Sequence, residues 1–539
     1  MPLARRTGRR ALHGGRGRVA GPPAAAVRWW PLAAASALVY LLAGSGVLPL
    51  WPGLCHEVAL PPLDLTSDVV VVTTRATSVW WFVLGVAAAV AGRSALLACM
   101  LGWSRRRLRQ ALTFYLVAAV PAVLAGALLD ASQVVLYAAV FWVGLAVAVV
   151  ATLVLAPLPW RGRSVLRGLA DAVAGGARLP TVVAYLVVLA ALGGAARLGG
   201  TGGELASVAV SAGATLVAAR ALAAPGARPA PVRLAAIGVA LVALLVAELA
   251  PSGAPPVSAP PRAGSLFLVP GLDTSSGHGT LFRLDPLALG YPCADTFYFS
   301  YAGPGRGAPR GQAACPIRTG APYRRADTER PLSELVAAFD AEVALLPAPV
   351  TVVTHSSASW VAWAAVSSGA TPDVADVVML SPLADPLGYP PPGVAGPNLV
   401  GGDGARLLTA IGRGIGFSTF RLDAPLATEL LGHPARLQGL LGRALPSGVR
   451  ALAVPAAYDL PLLVGVRHPF PHAASACPSP SSHSGLVTAP ATAGIVDDFL
   501  AGRALPGCGR WSTWQGAVAA GFRAPAVPRP GPRAPPGVR

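Results

Sequence analysis

The sequence predicts an α-helical transmembrane bundle of about seven spans, followed by an α/β domain built on a mostly parallel sheet. Three observations carry that prediction. Of 539 residues, 54% are hydrophobic and only 12% charged, a balance too apolar for a chain wholly in water. The long apolar runs crowd into the first half of the chain. The second half instead alternates short β-branched strand signals with amphipathic helix signals, the pattern of a parallel sheet covered on both faces.

The apolar runs fall at 30–50, 79–103, 112–129, 134–158, 181–198, 205–222 and 234–249, each near the roughly 20 residues a helix needs to cross the hydrocarbon core. Arginines set the orientation. Arg5, Arg6, Arg9, Arg10, Arg16, Arg18 and Arg28 precede the first run, and Arg105, Arg106 and Arg107 follow the second. Arg161, Arg163, Arg167 and Arg178 follow the fourth, and Arg220, Arg228 and Arg233 lie at or beyond the end of the sixth. Alternate loops carry Glu57, Asp64, Asp68, Asp130 and Glu204, with Arg75 and Arg197 as exceptions. The expected topology is a multi-pass protein of the plasma membrane, N-terminus cytoplasmic and everything after about Pro251 outside. The first run is long and is followed by further spans, so it is expected to stay uncleaved. Arg93, inside the second run, is expected to snorkel toward the cytoplasmic face or to mark an earlier end of that span.

The expected domains are a basic cytoplasmic tail (1–28), the transmembrane region (29–250), a Pro/Ala/Gly/Ser linker (251–263), the α/β domain (264–505) and a Pro/Arg-rich, disordered tail (506–539). A formal net charge of +18 reflects the cytoplasmic loops and the tail, and no nucleic-acid-binding motif accompanies it. Cys293, Cys315, Cys477 and Cys508 all fall in the half predicted to face an oxidising space, so two disulfides are expected. Cys293–Cys315 and Cys477–Cys508 are the local pairings. No cofactor is expected, and no Cys/His spacing suggests a metal.

In the second half, strands are expected at 265–269, 296–300, 374–381 and 450–455, and helices at 331–346 and 493–500. The central signal is Val350-Thr351-Val352-Val353-Thr354-His355-Ser356-Ser357-Ala358. A β-branched strand breaks at a serine and continues as a helix, the layout of a nucleophile elbow. Thr354 and Ala358 take the two small-residue positions where the common form has glycines.

These residues resemble the α/β-hydrolase superfamily over roughly 265–503, in the style of membrane-anchored, actinobacterial lipase- or esterase-like proteins. The resemblance implies a triad in chain order: Ser356 as nucleophile, Asp459 as acid after the 450–455 strand, and His483 as base in Ser482-His483-Ser484-Gly485. Asp385, after the 374–381 strand, is the alternative acid. His278, His468 and His472 compete with His483, and His355 is the residue that commonly precedes the nucleophile. The resemblance further implies an oxyanion site from the backbone N–H groups of Leu272 and Ser357, and a cap insertion at about 386–445. The implied activity is a serine esterase or lipase acting on membrane lipids or envelope acyl esters. An acyltransferase using the same triad and a catalytically inactive sensor or assembly protein are the rival readings.

Overall fold

The computed structural model describes residues 27–124, 138–161, 179–224, 259–383, 388–416, 420–457, 459, 470–522 and 525. The expected seventh span, Asp385, His468, residues 1–26 and most of the linker lie outside the described residues.

The first half is helical: α1 (Trp30–Gly44), α2 (Leu63–Arg75), α3 (Val79–Met100), α4 (Arg105–Leu124), α5 (Ala138–Leu155), α6 (Leu179–Leu198) and α7 (Gly200–Ala223). Among the described residues α3, α4, α6 and α7 are long and apolar enough to cross a membrane, and α1 is a shorter apolar helix. Ser78 caps α3 and Ser104 caps α4, each side chain accepting a backbone N–H of the first turn, which satisfies a donor the helix itself cannot.

The segment between α1 and α3 departs from the sequence expectation. It does not form a simple exposed loop. A 3₁₀ helix (Pro52–Val58) and α2 pack against α3 and α7, burying Glu57 and Asp64. Arg93 does not snorkel away. Its guanidinium pairs with Glu57 (3.0 Å) and Asp68 (2.6 Å), while the Ser67 hydroxyl donates to Glu57 (2.6 Å). A π turn over Tyr115–Ala119 interrupts α4 where the Tyr115 hydroxyl donates to Asp64 (2.6 Å). A buried charge persists only when paired and hydrogen-bonded, and this cluster meets both conditions.

Among the described residues the second half holds six parallel strands in the order β2-β1-β3-β4-β5-β6. They are β1 (Ser265–Val269), β2 (Thr296–Tyr298), β3 (Val350–His355), β4 (Val374–Leu380), β5 (Arg450–Val454) and β6 (Ala474–Ser475). The chain steps from β1 out to β2, then crosses back over β1 to β3. That reversal makes a crevice at the carboxyl ends of β1 and β3, the usual ligand position in an open parallel sheet.

Helices α8 (Leu332–Val343) and α9 (Ala358–Ser367) pack side by side. Phe339 of α8 meets Phe267 of β1 at 5.5 Å, and Phe267 meets Phe299 edge-on at 6.0 Å. Ala358 through Val366 are all buried, the all-round apolar pattern of a helix enclosed on every side. Between β4 and β5 lie α10 (Leu399–Gly414), α11 (Pro425–Leu430) and α12 (Pro434–Leu441). Within this insertion, α11 packs on α8 and α12 on α9, whereas α10 reaches α2 and α3. α13 (Pro490–Leu500) packs against β5 and the 3₁₀ turn Pro286–Leu289.

Cys293–Cys315 and Cys477–Cys508 form the two disulfides. The first part of the tail differs from its expected disorder. Arg510–Phe522 is helix α14, packed on α6, and a Cβ added at Gly194 would lie 3.1 Å from Val518. Small residues on both helices permit that close approach.

Replacing Arg93 by Ala leaves Glu57 and Asp68 without their cation. We expect a loss of about 3–5 kcal/mol, read as lowered thermal stability of the purified protein in detergent. Adding Glu57→Gln and Asp68→Asn to Arg93→Met is expected to restore most of it.

Candidate active site

The crevice between β1 and β3 is built by three backbone features. Ser356 follows the last residue of β3 with φ of +60°, the left-handed region that costs a non-glycine residue of order 1–3 kcal/mol. Its neighbours hold it there. The Ser356 N–H donates to Leu380 O (3.0 Å), and the Ser359 hydroxyl donates to Ser356 O (2.7 Å). The reversal sends the chain straight from β3 into α9, whose N-cap is Ser357. The first N–H groups of a helix have no partner within it and attract negative charge.

Opposite the turn, Pro270-Gly271-Leu272 closes β1. A Cβ at Gly271 would lie 2.9 Å from His355 O and 3.1 Å from Ser356 Cβ, so only glycine lets the two loops meet this closely. The Leu272 N–H donates to the Ser357 hydroxyl (3.2 Å), which pins the β1 loop to the β3 turn. Thr354 and Ala358 are fully buried beside the reversal, and both are small enough for it.

The third contribution comes from beyond β5. Ala456 bridges to Ser479, and Ala457 N–H donates to Ser479 O (2.7 Å). This brings the 459 and 483 loops side by side. His483 Nδ1 donates to Asp459 Oδ2 (2.7 Å), with both side chains buried. That bond sets the imidazole tautomer and leaves Nε2 as the basic nitrogen.

His355, the last residue of β3, joins this group to the turn. Its Nε2 donates to the His483 carbonyl (2.9 Å), and the two imidazole rings lie 4.8 Å apart. Burial, reinforced by the neighbouring His483, lowers the His355 pKa to about 3, so it is neutral at physiological pH. Sequence reasoning left His355 without a role, because the bond links residues 128 positions apart and no local pattern announces it.

Of the sequence-predicted residues, Ser356, Ser357 and Leu272 stand together at the crevice, and Asp459 and His483 are bonded to each other. His278 and His472 are exposed on their loops. Asp385 and His468 lie outside the described residues. Among the described residues no cluster of His, Cys, Asp or Glu could hold a metal ion.

No family model matches the chain, and a search of curated proteins finds no match. Among solved structures, the chain is similar to an N-formylmaleamic acid deformylase from Pseudomonas putida. That similarity covers 41% of this chain and 85% of the other, at 12% identity and a TM-score of 0.19, a level at which the likeness carries no argument.

The neutral His355 sets a pH dependence. Its folded pKa of about 3 lies below the ordinary 6.5, so on acidification the unfolded chain takes up the proton first. This group's contribution to stability is constant above pH 6.5 and falls as pH drops from 6.5 toward 3. His355→Gln keeps a side-chain donor for the His483 carbonyl and does not titrate. Chemical denaturation at about pH 7 and about pH 5 is expected to show a smaller stability gap in this variant than in wild type.

Proposed function

We propose that the chain is a membrane-anchored, extracytoplasmic serine hydrolase of the α/β-hydrolase type, cleaving acyl esters through Ser356, His483 and Asp459. The observations that carry this reading are the left-handed Ser356 at the end of β3 and the His483 imidazole oriented by a buried carboxylate, whose backbone is tied to His355, the residue before Ser356. An ordinary turn serine needs neither the backbone strain nor the paired imidazole.

In the proposed reaction Ser356 Oγ attacks the ester carbonyl while His483 Nε2 takes its proton. Asp459 stabilises the imidazolium that results. The tetrahedral oxyanion draws on the N–H of Ser357 and on that of Leu272, which must first leave the Ser357 hydroxyl it meets at 3.2 Å, each such donor being worth about 10²–10³ in rate. Collapse of the intermediate expels the alcohol, which receives the proton from His483. Water, deprotonated in turn by His483, then releases the acid and restores Ser356.

Three observations support an outside location. The α/β half carries two disulfides, which persist in oxidising compartments. The arginine-rich loops alternate with acidic ones. The insertion after β4 also meets the C-terminal end of α2, where Asn398 N–H donates to Thr74 O (3.0 Å), just before the N-terminus of α3. The arginine distribution favours an outside position for that end of α3. Lipid or envelope acyl esters are the substrates that fit a serine held at this surface.

Purified protein in detergent is expected to hydrolyse short-chain nitrophenyl esters. Ser356→Ala and His483→Ala should each lose on the order of 10⁴–10⁶ in kcat, with Asp459→Asn at the lower end of that range. Wild-type rates in folded Ser356→Ala protein would remove Ser356 from the reaction.

A further inference from the structure

Helix α10 belongs to the insertion between β4 and β5, and its two faces differ sharply. Gly401, Gly402, Gly404, Ala405, Thr409 and Gly412 are its buried residues, all small, and all but Gly404 share one arc. The opposite arc carries Leu407 and Ile411, and the C-cap residue Ile415 continues their four-residue spacing; the three are 57%, 50% and 76% exposed. Four-residue spacing keeps side chains on one face of a helix, so the three make a continuous apolar stripe. A stripe of this kind facing water is unfavourable and marks a surface with a partner.

The surroundings of α10 identify that partner. Asn398, its N-cap, donates its N–H to Thr74 O. A Cβ at Gly401 would lie 3.4 Å from the Thr73 methyl. The helix packs against both α2 and α3. Just beyond Thr74, Ser78 caps α3, and the first turn of α3 exposes Trp80 and Trp81 (78% and 65%). Tryptophans at the end of a membrane-length apolar helix lie where headgroups meet acyl chains. The start of α10 is therefore at that depth. Arg406 and Arg413 lie between the buried and apolar arcs by helical spacing, with Arg406 holding Asp403 at 2.7 Å. A helix with small packed residues on one side, an apolar stripe on the other and arginines at the border has the form of an interfacial helix.

We propose that α10 lies in the membrane interface and inserts Leu407, Ile411 and Ile415 into the leaflet that meets the N-terminus of α3. The occupant of the apolar stripe is that leaflet. Burying three such side chains anchors the insertion after β4 beside the bilayer. The inference deepens the esterase reading by giving the substrate class as esters embedded in the leaflet, and only that last step rests on the esterase reading.

The test uses the full chain in phosphatidylcholine vesicles, with Cys99→Ser to remove the accessible free thiol. Ile411→Cys carries an environment-sensitive fluorophore, and Leu287→Cys, at an exposed position of the α/β domain, serves as control. The Ile411 label is expected to be quenched by lipids brominated high on the acyl chain and protected from aqueous iodide, with the reverse at Leu287. Iodide quenching at Ile411 without lipid quenching overturns the proposal. So does protection from both quenchers, which would assign the stripe to a second copy of the chain. For the substrate step, Ile411→Asp is expected to raise KM severalfold for an ester held in vesicles and leave kinetics on a soluble short-chain ester unchanged. An equal effect on both esters overturns the assignment of leaflet substrates. Because fluorophore quenching requires no catalysis, failure of the esterase reading and failure of the interfacial placement give different results.

Discussion

The left-handed backbone at Ser356 is the constraint on which the rest of the α/β half depends. A residue with a side chain enters that region at a cost, and the cost persists only where surrounding bonds leave no alternative. Here the Leu380 carbonyl on one side and the Ser359 hydroxyl on the other fix the turn. The reversal is also what carries the chain from the middle of a parallel sheet directly into a fully buried helix. It imposes small residues at Thr354 and Ala358, and it requires Gly271 across the crevice, where a methyl group would strike Ser356.

Around that turn, segments far apart in sequence are drawn to one point by ordinary interactions. The β1 loop is held by the Leu272–Ser357 bond. The 459 and 483 loops are aligned by the bridge between Ala456 and Ser479, and His483 is tied back to β3 through His355. Cys477–Cys508 links the stretch before His483 to the stretch after α13, limiting how far that loop can open. The bundle half is organised on the same principle with charges in place of strain. Arg93 gathers Glu57 and Asp68, and Asp64 reaches Tyr115.

Much of the sheet was legible in the sequence because a buried parallel strand reads as a short apolar run, β-branched in β3 and β4 and Leu-, Phe- or Ala-rich in β1 and β5. Five of the six strands among the described residues could be placed that way, and the two disulfides are the local pairings, whose connectivity the sequence left open. The strand–turn–helix at Ser356 was legible without the usual glycines because the sharp turn requires only small side chains beside it, which Thr354 and Ala358 supply. Other features were hidden for identifiable reasons. The segment from Pro52 to Arg75 reads as a polar loop because its carboxylates are visible in the sequence and their partner Arg93 is not visibly near. β6 is two residues long, too short for any periodicity. The helix at Arg510–Phe522 lies in a Pro/Arg-rich context that masks it, and the His355–His483 bond exists only once the chain is folded. The insertion after β4 was legible as helical, but its division between the α/β core and the apolar helices of the first half depended on tertiary contacts.

The central claim is that Ser356 becomes acylated because His483 and Asp459 activate it. The most direct measurement is treatment of the folded, full-length protein with a fluorophosphonate, followed by peptide mass mapping of the adduct. The account predicts a single stoichiometric adduct on Ser356, lost in Ser356→Ala and formed far more slowly in His483→Ala. An adduct on another residue, or an unreactive Ser356 in protein shown to be folded, would contradict it.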